Sequence, residues 1–177
     1  MQARPTHLNL FDTLASAHDA VTLSGYTAAI AGLATIVFSY CYEVIARYAF
    51  SAPTIWAGSL VSYALCCMVF LALPRLTQAQ GHISITILSE MISQRHAVAL
   101  QRAIRLLSAA ACLIATWITA EAALSQYRQD IQTISEWPIA KWPLSFLMTY
   151  GWFSSGLYFL RQIPEGLPDS APREVLP

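Results

Sequence analysis

Glu43 and Arg47, opposite in charge and four residues apart, form the clearest polar constellation in this chain of 177 residues. At that spacing a carboxylate and a guanidinium share one helical face, with the acid on the favourable N-terminal side, and they form an ion pair. Tyr48 adjoins the pair and Trp56 follows it. Glu121 is the other isolated acid, close to Trp117 in a run with no other charge from 106 to 127. Its expected role is that of an interfacial or partner-facing carboxylate rather than a proton carrier. The four histidines, His7, His18, His82 and His96, fall outside the long apolar runs. Paired axial haem ligands inside a bilayer are therefore not expected. Cys41, Cys66, Cys67 and Cys112 have neither C-x-x-C nor metal-ligand spacing. Cys66 and Cys67, in mid-run, read as small apolar residues. No convergent polar cluster points to catalysis, so neither an enzyme, a cofactor nor a metal site is expected.

The elements that carry these residues follow from where charge is missing. Residues 20–42, 48–74 and 142–160 contain no charged side chain, and 106–120 is a shorter run of the same kind. A hydrocarbon core about 30 Å thick needs about 20 helical residues. The chain is 56% hydrophobic and 11% charged, too little charge for the surface of a soluble domain of this size. Backbone groups in lipid must be satisfied internally, and continuous rather than alternating apolar runs exclude a barrel. The expected fold is an all-α integral membrane protein, a single membrane domain. Its spans are predicted at about 20–42, 55–74, 103–126 and 142–161, with tails at 1–19 and 162–177. Pro53 suits the first turn of the second span. The first run is too long for a cleavable signal and reads as a retained anchor. Zero net charge gives no reason to expect nucleic acid.

Between spans 2 and 3, Ile83, Ile85, Ile87, Leu88, Met91 and Ile92 alternate with Ser84, Thr86, Ser89, Glu90 and Ser93. This stretch is too short and polar to span, and its second half has helical spacing, so it predicts a short amphipathic helix at the inner interface. Arg95, Arg102 and Arg105 follow it and are placed to meet lipid phosphates. With four spans, Arg4, Arg75, Arg95, Arg102, Arg105, Arg161 and Arg173 share one side, against Arg47, Arg128 and Lys141 on the other. That excess puts both termini in the cytoplasm. Inside the spans the prominent feature is packing surface. Gly25 with Ala29, Ala28 with Gly32, and Ala111 with Ala115 are small-x-x-x-small pairs, which allow close approach of helices in lipid.

The order of features resembles a known family. Ile45-Ala46-Arg47-Tyr48-Ala49-Phe50, then Pro53 and Trp56, is similar to an R-Y-x-F … W signature. Gly81-His82-Ile83 is similar to its second, Gly-His-Ile signature. Thr133-Ile134-Ser135, Pro138-Ile139 and Gly151 complete the likeness. The family is the small membrane (Q, DctQ-like) subunit of tripartite ATP-independent periplasmic (TRAP) transporters, and the resemblance runs from about residue 26 to 160. One departure stands out: where the family carries W-x-E-E, this chain reads Trp56-Ala57-Gly58-Ser59 and lacks both carboxylates.

The resemblance implies a small subunit of the bacterial inner membrane that scaffolds a large permease subunit. The transporter would import an organic acid by gradient-driven symport, the substrate being delivered by a periplasmic substrate-binding protein. Glu43, Arg47, Tyr48, Trp56, Gly81, His82 and Gly151 are the expected partner-interface residues. An anchor or assembly subunit of another membrane complex would share the same packing surface. The expected topology is checked by reporter fusions: residues 1–19, 75–105 and 162–177 report cytoplasmic, and a periplasmic signal from 75–105 overturns the orientation.

Overall fold

A computed structural model describes residues 7–79, 94–134 and 138–163. Four helices account for nearly all of them: α1 (His7–Phe50), α2 (Ala57–Gln78), α3 (Gln94–Arg128) and α4 (Trp142–Gln162). Among the described residues there is no strand, only an isolated antiparallel bridge between Gln132 and Ala140. Gly81, His82 and the amphipathic stretch 83–92 lie outside the described residues.

Three helices are long and apolar enough to cross a membrane, within Thr13–Phe50, Ala57–Gln78 and Ala99–Arg128. The fourth predicted span forms a helix of 21 residues, about 32 Å long at 1.5 Å per residue, but it does not match the other three in apolarity. The reason is its position. α2 packs on α1 and on α4, and α4 packs on α3 as well, so α4 buries Ser145, Gly151, Ser154, Ser155, Gly156, Tyr158 and Gln162 rather than showing them to lipid. The element starts also differ from expectation. α1 begins by His7, so the predicted tail is helical over most of its length. Pro53 sits in the link before α2, and it is Pro143 that occupies the first turn of a helix, α4.

The seams explain which small residues matter. On α1, Thr22, Gly25, Ala29, Gly32, Ile36, Ser39, Glu43 and Ala46 are buried or half-buried. They repeat by three and four residues, the 3.5-residue period of left-handed helix pairing. Gly25 faces Leu71, and Gly32 faces Ala64 and Met68 on α2. Ala28 is exposed, so the pair Ala28 and Gly32 is split by this register, whereas Gly25 and Ala29 both lie on the seam. α3 uses the same period through Ala109, Cys112, Thr116, Thr119 and Ala123, and Ala111 points outward. Gly156 of α4 meets Cys112 and Leu113 there.

The tightest approach joins α2 to α4. A Cβ on Gly151 would lie 2.7 Å from the Phe70 carbonyl oxygen and 3.1 Å from the Phe70 Cβ. Pro74, buried inside α2, has no N–H to give the Phe70 carbonyl four residues earlier. The oxygen left without that helical donor is the one Gly151 faces, where a glycine Cα–H offers a weak hydrogen bond. Phe70 and Trp152 close the contact with rings 6.0 Å apart at 65°. Gly151→Ala forces backbone against backbone and is expected to cost about 1–3 kcal/mol, the range for overpacked cores. Gly58→Ala, where nothing lies within 4 Å, is expected to leave the midpoint unchanged in the same detergent melting measurement.

Candidate functional site

Glu43 and Arg47 sit in the last turns of α1, at the end of the bundle that carries both short links. The Arg47 Nε and Nη2 donate to Glu43 Oε1 at 3.2 and 2.5 Å, as their spacing predicts. The carboxylate does more than pair: its Oε2 accepts the Thr54 backbone N–H at 3.1 Å. Glu43 is buried while Arg47 is largely exposed, so the acid ties the link to α1 and the base faces outward. The link can turn there because Ser51 takes a left-handed conformation, φ 51°, after which the Ala52 N–H reaches back to the Ala46 carbonyl at 3.1 Å. Trp56 occupies the N-cap position of α2 and stacks on Tyr42 with ring centroids 5.8 Å apart. Tyr48 is 82% exposed. Glu43, Arg47 and Trp56 thus frame one surface beside Tyr48. Gly151 is not part of it: α2 covers it inside the bundle. Gly58, at the first position where the resembled pattern has an acid, is open to the outside.

The second link is built on Thr133. Its N–H donates to the Ile139 carbonyl at 2.9 Å, and its Oγ1 accepts the Ile139 N–H at 3.0 Å. Tyr63 of α2 meets the same hydroxyl at 2.7 Å, which fastens the α3–α4 link to α2. Asp130, φ 49°, is the left-handed residue that ends α3. The following Ile131 N–H returns to the Gln126 carbonyl at 3.1 Å, a Schellman-type close with Asp in the usual Gly position.

At the opposite end, where α1 and α3 begin, the structure brings together a polar cluster that the sequence reading missed. Tyr158, 2% exposed, donates toward Asp19 Oδ1 at 2.8 Å and Thr22 Oγ1 at 3.0 Å. Arg161 Nη1 donates to Asp19 at 3.0 Å. His18 contacts Ser154 Oγ at 2.8 Å and stacks on Tyr158 at 4.5 Å. His18 is thus carried on α1, continuous with the apolar run that follows it. Gln162 Nε2 donates to the Thr77 carbonyl at 2.9 Å, and Arg105 donates to the Gln162 carbonyl. The partners lie 136 to 142 residues apart between α1 and α4, so no local spacing signals them; the one hint is an acid and a base flanking the first and last runs. Among the described residues no group of three His, Cys, Asp or Glu is placed to hold a metal.

The chain's residues 36–168 match the family model for the DctQ component of tripartite ATP-independent periplasmic transporters. The chain belongs to the DctQ family. A search against curated proteins finds no match. The match begins within α1 and contains Glu43, Arg47, Trp56, Thr133 and Gly151; it includes Tyr158 and Arg161 but not their partners His18, Asp19 and Thr22. DctQ proteins are components of a transporter that works with other subunits, and the family is not one of enzymes. The geometry of the α1–α2 link gives an order of effects. Glu43→Ala leaves the Thr54 amide unpaired and is expected to cost about 1–3 kcal/mol. Arg47→Ala, which removes an exposed partner, is expected to lower the detergent melting midpoint less than Glu43→Ala does.

Proposed function

We propose that this DctQ chain is the small subunit that scaffolds the large permease subunit of a TRAP transporter in the inner membrane. The complex imports an organic acid handed over by a periplasmic substrate-binding protein, driven by an ion gradient. All four helices span, with both termini in the cytoplasm. α4 crosses as the polar, shielded member of the bundle. Tyr42, Tyr48 and Trp56 lie at the outer level, and about 20 residues of α1 before them reach the inner level near Thr22. His18, Asp19 and Arg161 then stand at the inner boundary, where paired charge meets headgroups.

The observation that carries this reading is the distribution of polarity. Several polar side chains within the bundle bond to one another across seams, as Thr149 does to Thr119 at 3.1 Å and Ser145 to Gln126 at 2.7 Å. Outward hydroxyls return to their own helix, as Thr27 does to Leu23 and Thr35 to Ala31. Such groups hold helices together; a solute pathway calls for broken helices with polar groups gathered at mid-membrane. Large apolar side chains, Phe38, Ile45 and Leu107 among them, face outward, which suits a wall presented to lipid and to another membrane protein.

The test is reconstitution. Alone in liposomes the chain moves no solute; with the large subunit, a loaded binding protein and an inward sodium gradient, it is required for uptake. Ser62→Ala and Thr116→Ala are expected to leave the substrate affinity of the complex unchanged. Solute uptake by this chain by itself, or a changed substrate preference in those variants, would sink the scaffold assignment.

A further inference from the structure

Glu121 is an outward carboxylate within the apolar helix Ala99–Arg128. The other acids whose side chains are described within helices have cations on them: Asp19 has Arg161 and Glu43 has Arg47. Glu121 has no ion pair or hydrogen bond among the described residues. Arg128 is seven residues on, about 10.5 Å along the axis, and does not reach it. Tyr127 and Trp142, with rings 5.5 Å apart, mark the polar level at this end of the bundle. Glu121 lies six residues deeper, about 9 Å along the helix.

An acidic side chain at that depth is retained where something other than lipid meets it. Its surroundings describe what. Ala110, Ile114, Trp117, Glu121 and Leu124 recur by four and three residues on one outward stripe of α3, with Trp117 75% exposed. Ala110 permits close approach at one end, and an aromatic face lies one turn from the acid. We propose that this stripe seats a membrane-spanning helix of the large permease subunit, and that an Arg or Lys of that helix pairs with the Glu121 carboxylate. The inference rests on the TRAP small-subunit reading above and adds the face and the contact.

Two other occupants fit less well. A lipid amine resides at the level of Tyr127 and Trp142, and a glutamate side chain does not extend about 9 Å to it. A second copy of this chain packed in parallel through the same stripe would oppose Glu121 to Glu121, like charges in a medium that hardly screens them.

The test uses the full chain co-expressed with the large subunit of its transporter. A photo-crosslinking phenylalanine derivative replaces Ile114 or Ile118 on α3, or Leu33 or Val37 on outward α1 in control chains. The expected result is crosslinking to the large subunit from α3, at a helix that carries Arg or Lys. Glu121→Lys is expected to lower recovery of the large subunit at least tenfold, Glu121→Gln less, and exchange of the partner's cation for Glu restores the Lys variant. Because Glu121 is outward, the variants keep the melting midpoint of the isolated chain, which separates lost docking from lost folding. Full recovery with Glu121→Lys, or crosslinks from α1 alone, to lipid or to a second copy, overturns the inference and leaves the scaffold assignment standing. No recovery of the large subunit with the unaltered chain would remove both.

Discussion

The bundle depends on how closely α4 can lie against α2. No hydrophobic effect operates between helices within lipid, so contact distance and hydrogen bonding decide which pairs form. Gly151 supplies the distance, because its missing side chain is the space the Phe70 carbonyl occupies. Pro74 supplies the reason for that carbonyl to face a neighbour, since its own helix offers it no N–H four residues on. With α2 and α4 joined, α1 packs on α2 and bonds to α4 near its start, and α3 packs on α4. The order of helices in space therefore differs from their order in the chain.

Polarity follows from the same constraint. The seams carry Gly, Ala, Ser and Thr, and the outward faces carry Leu, Ile, Val, Phe and Trp, the reverse of a soluble bundle. α4 shows it most clearly: it touches α1, α2 and α3 and buries Ser145, Ser154, Ser155, Tyr158 and Gln162. Seam hydroxyls such as those of Thr149 and Ser154 bond across the bundle, whereas the outward Thr27 and Thr35 bond to their own helix. The two ends of the bundle are finished differently. At one, Glu43 and Thr133 each satisfy backbone amides of a link; at the other, Asp19, Tyr158 and Arg161 fasten α1 to α4 directly.

Much of the Glu43 and Arg47 surface was legible because its members are close in sequence. A four-residue spacing on a helix implies a contact whatever else the chain does. The Thr54 amide that Glu43 also accepts was not legible, since it depends on the turn at Ser51. The small-x-x-x-small pairs were a partial guide: four-residue pairs mark possible contact, but the seam runs on a 3.5-residue period, which keeps Gly25 and Ala29 and leaves Ala28 outside. The contacts of His18 and Asp19 with α4 were not legible for a related reason. Charge ends an apolar run in the sequence, yet a helix continues through charge whenever its side chains find partners, as Asp19 does in Tyr158 and Arg161.

Long charge-free runs by themselves determined that the chain is helical and meant for lipid, because the cost of an exposed backbone in hydrocarbon leaves few alternatives. Short motifs in a set order determined the DctQ family. Only the tertiary structure decided which face of each helix is inside. That choice rests on backbone approach at Gly151 and Gly156, and on contacts such as those of His18 with Ser154 and of Asp19 with Tyr158, made between residues 136 and 139 positions apart. A helix is apolar on nearly all sides in such a chain, so periodicity cannot rank its faces, and the neighbour that comes close enough to bond does.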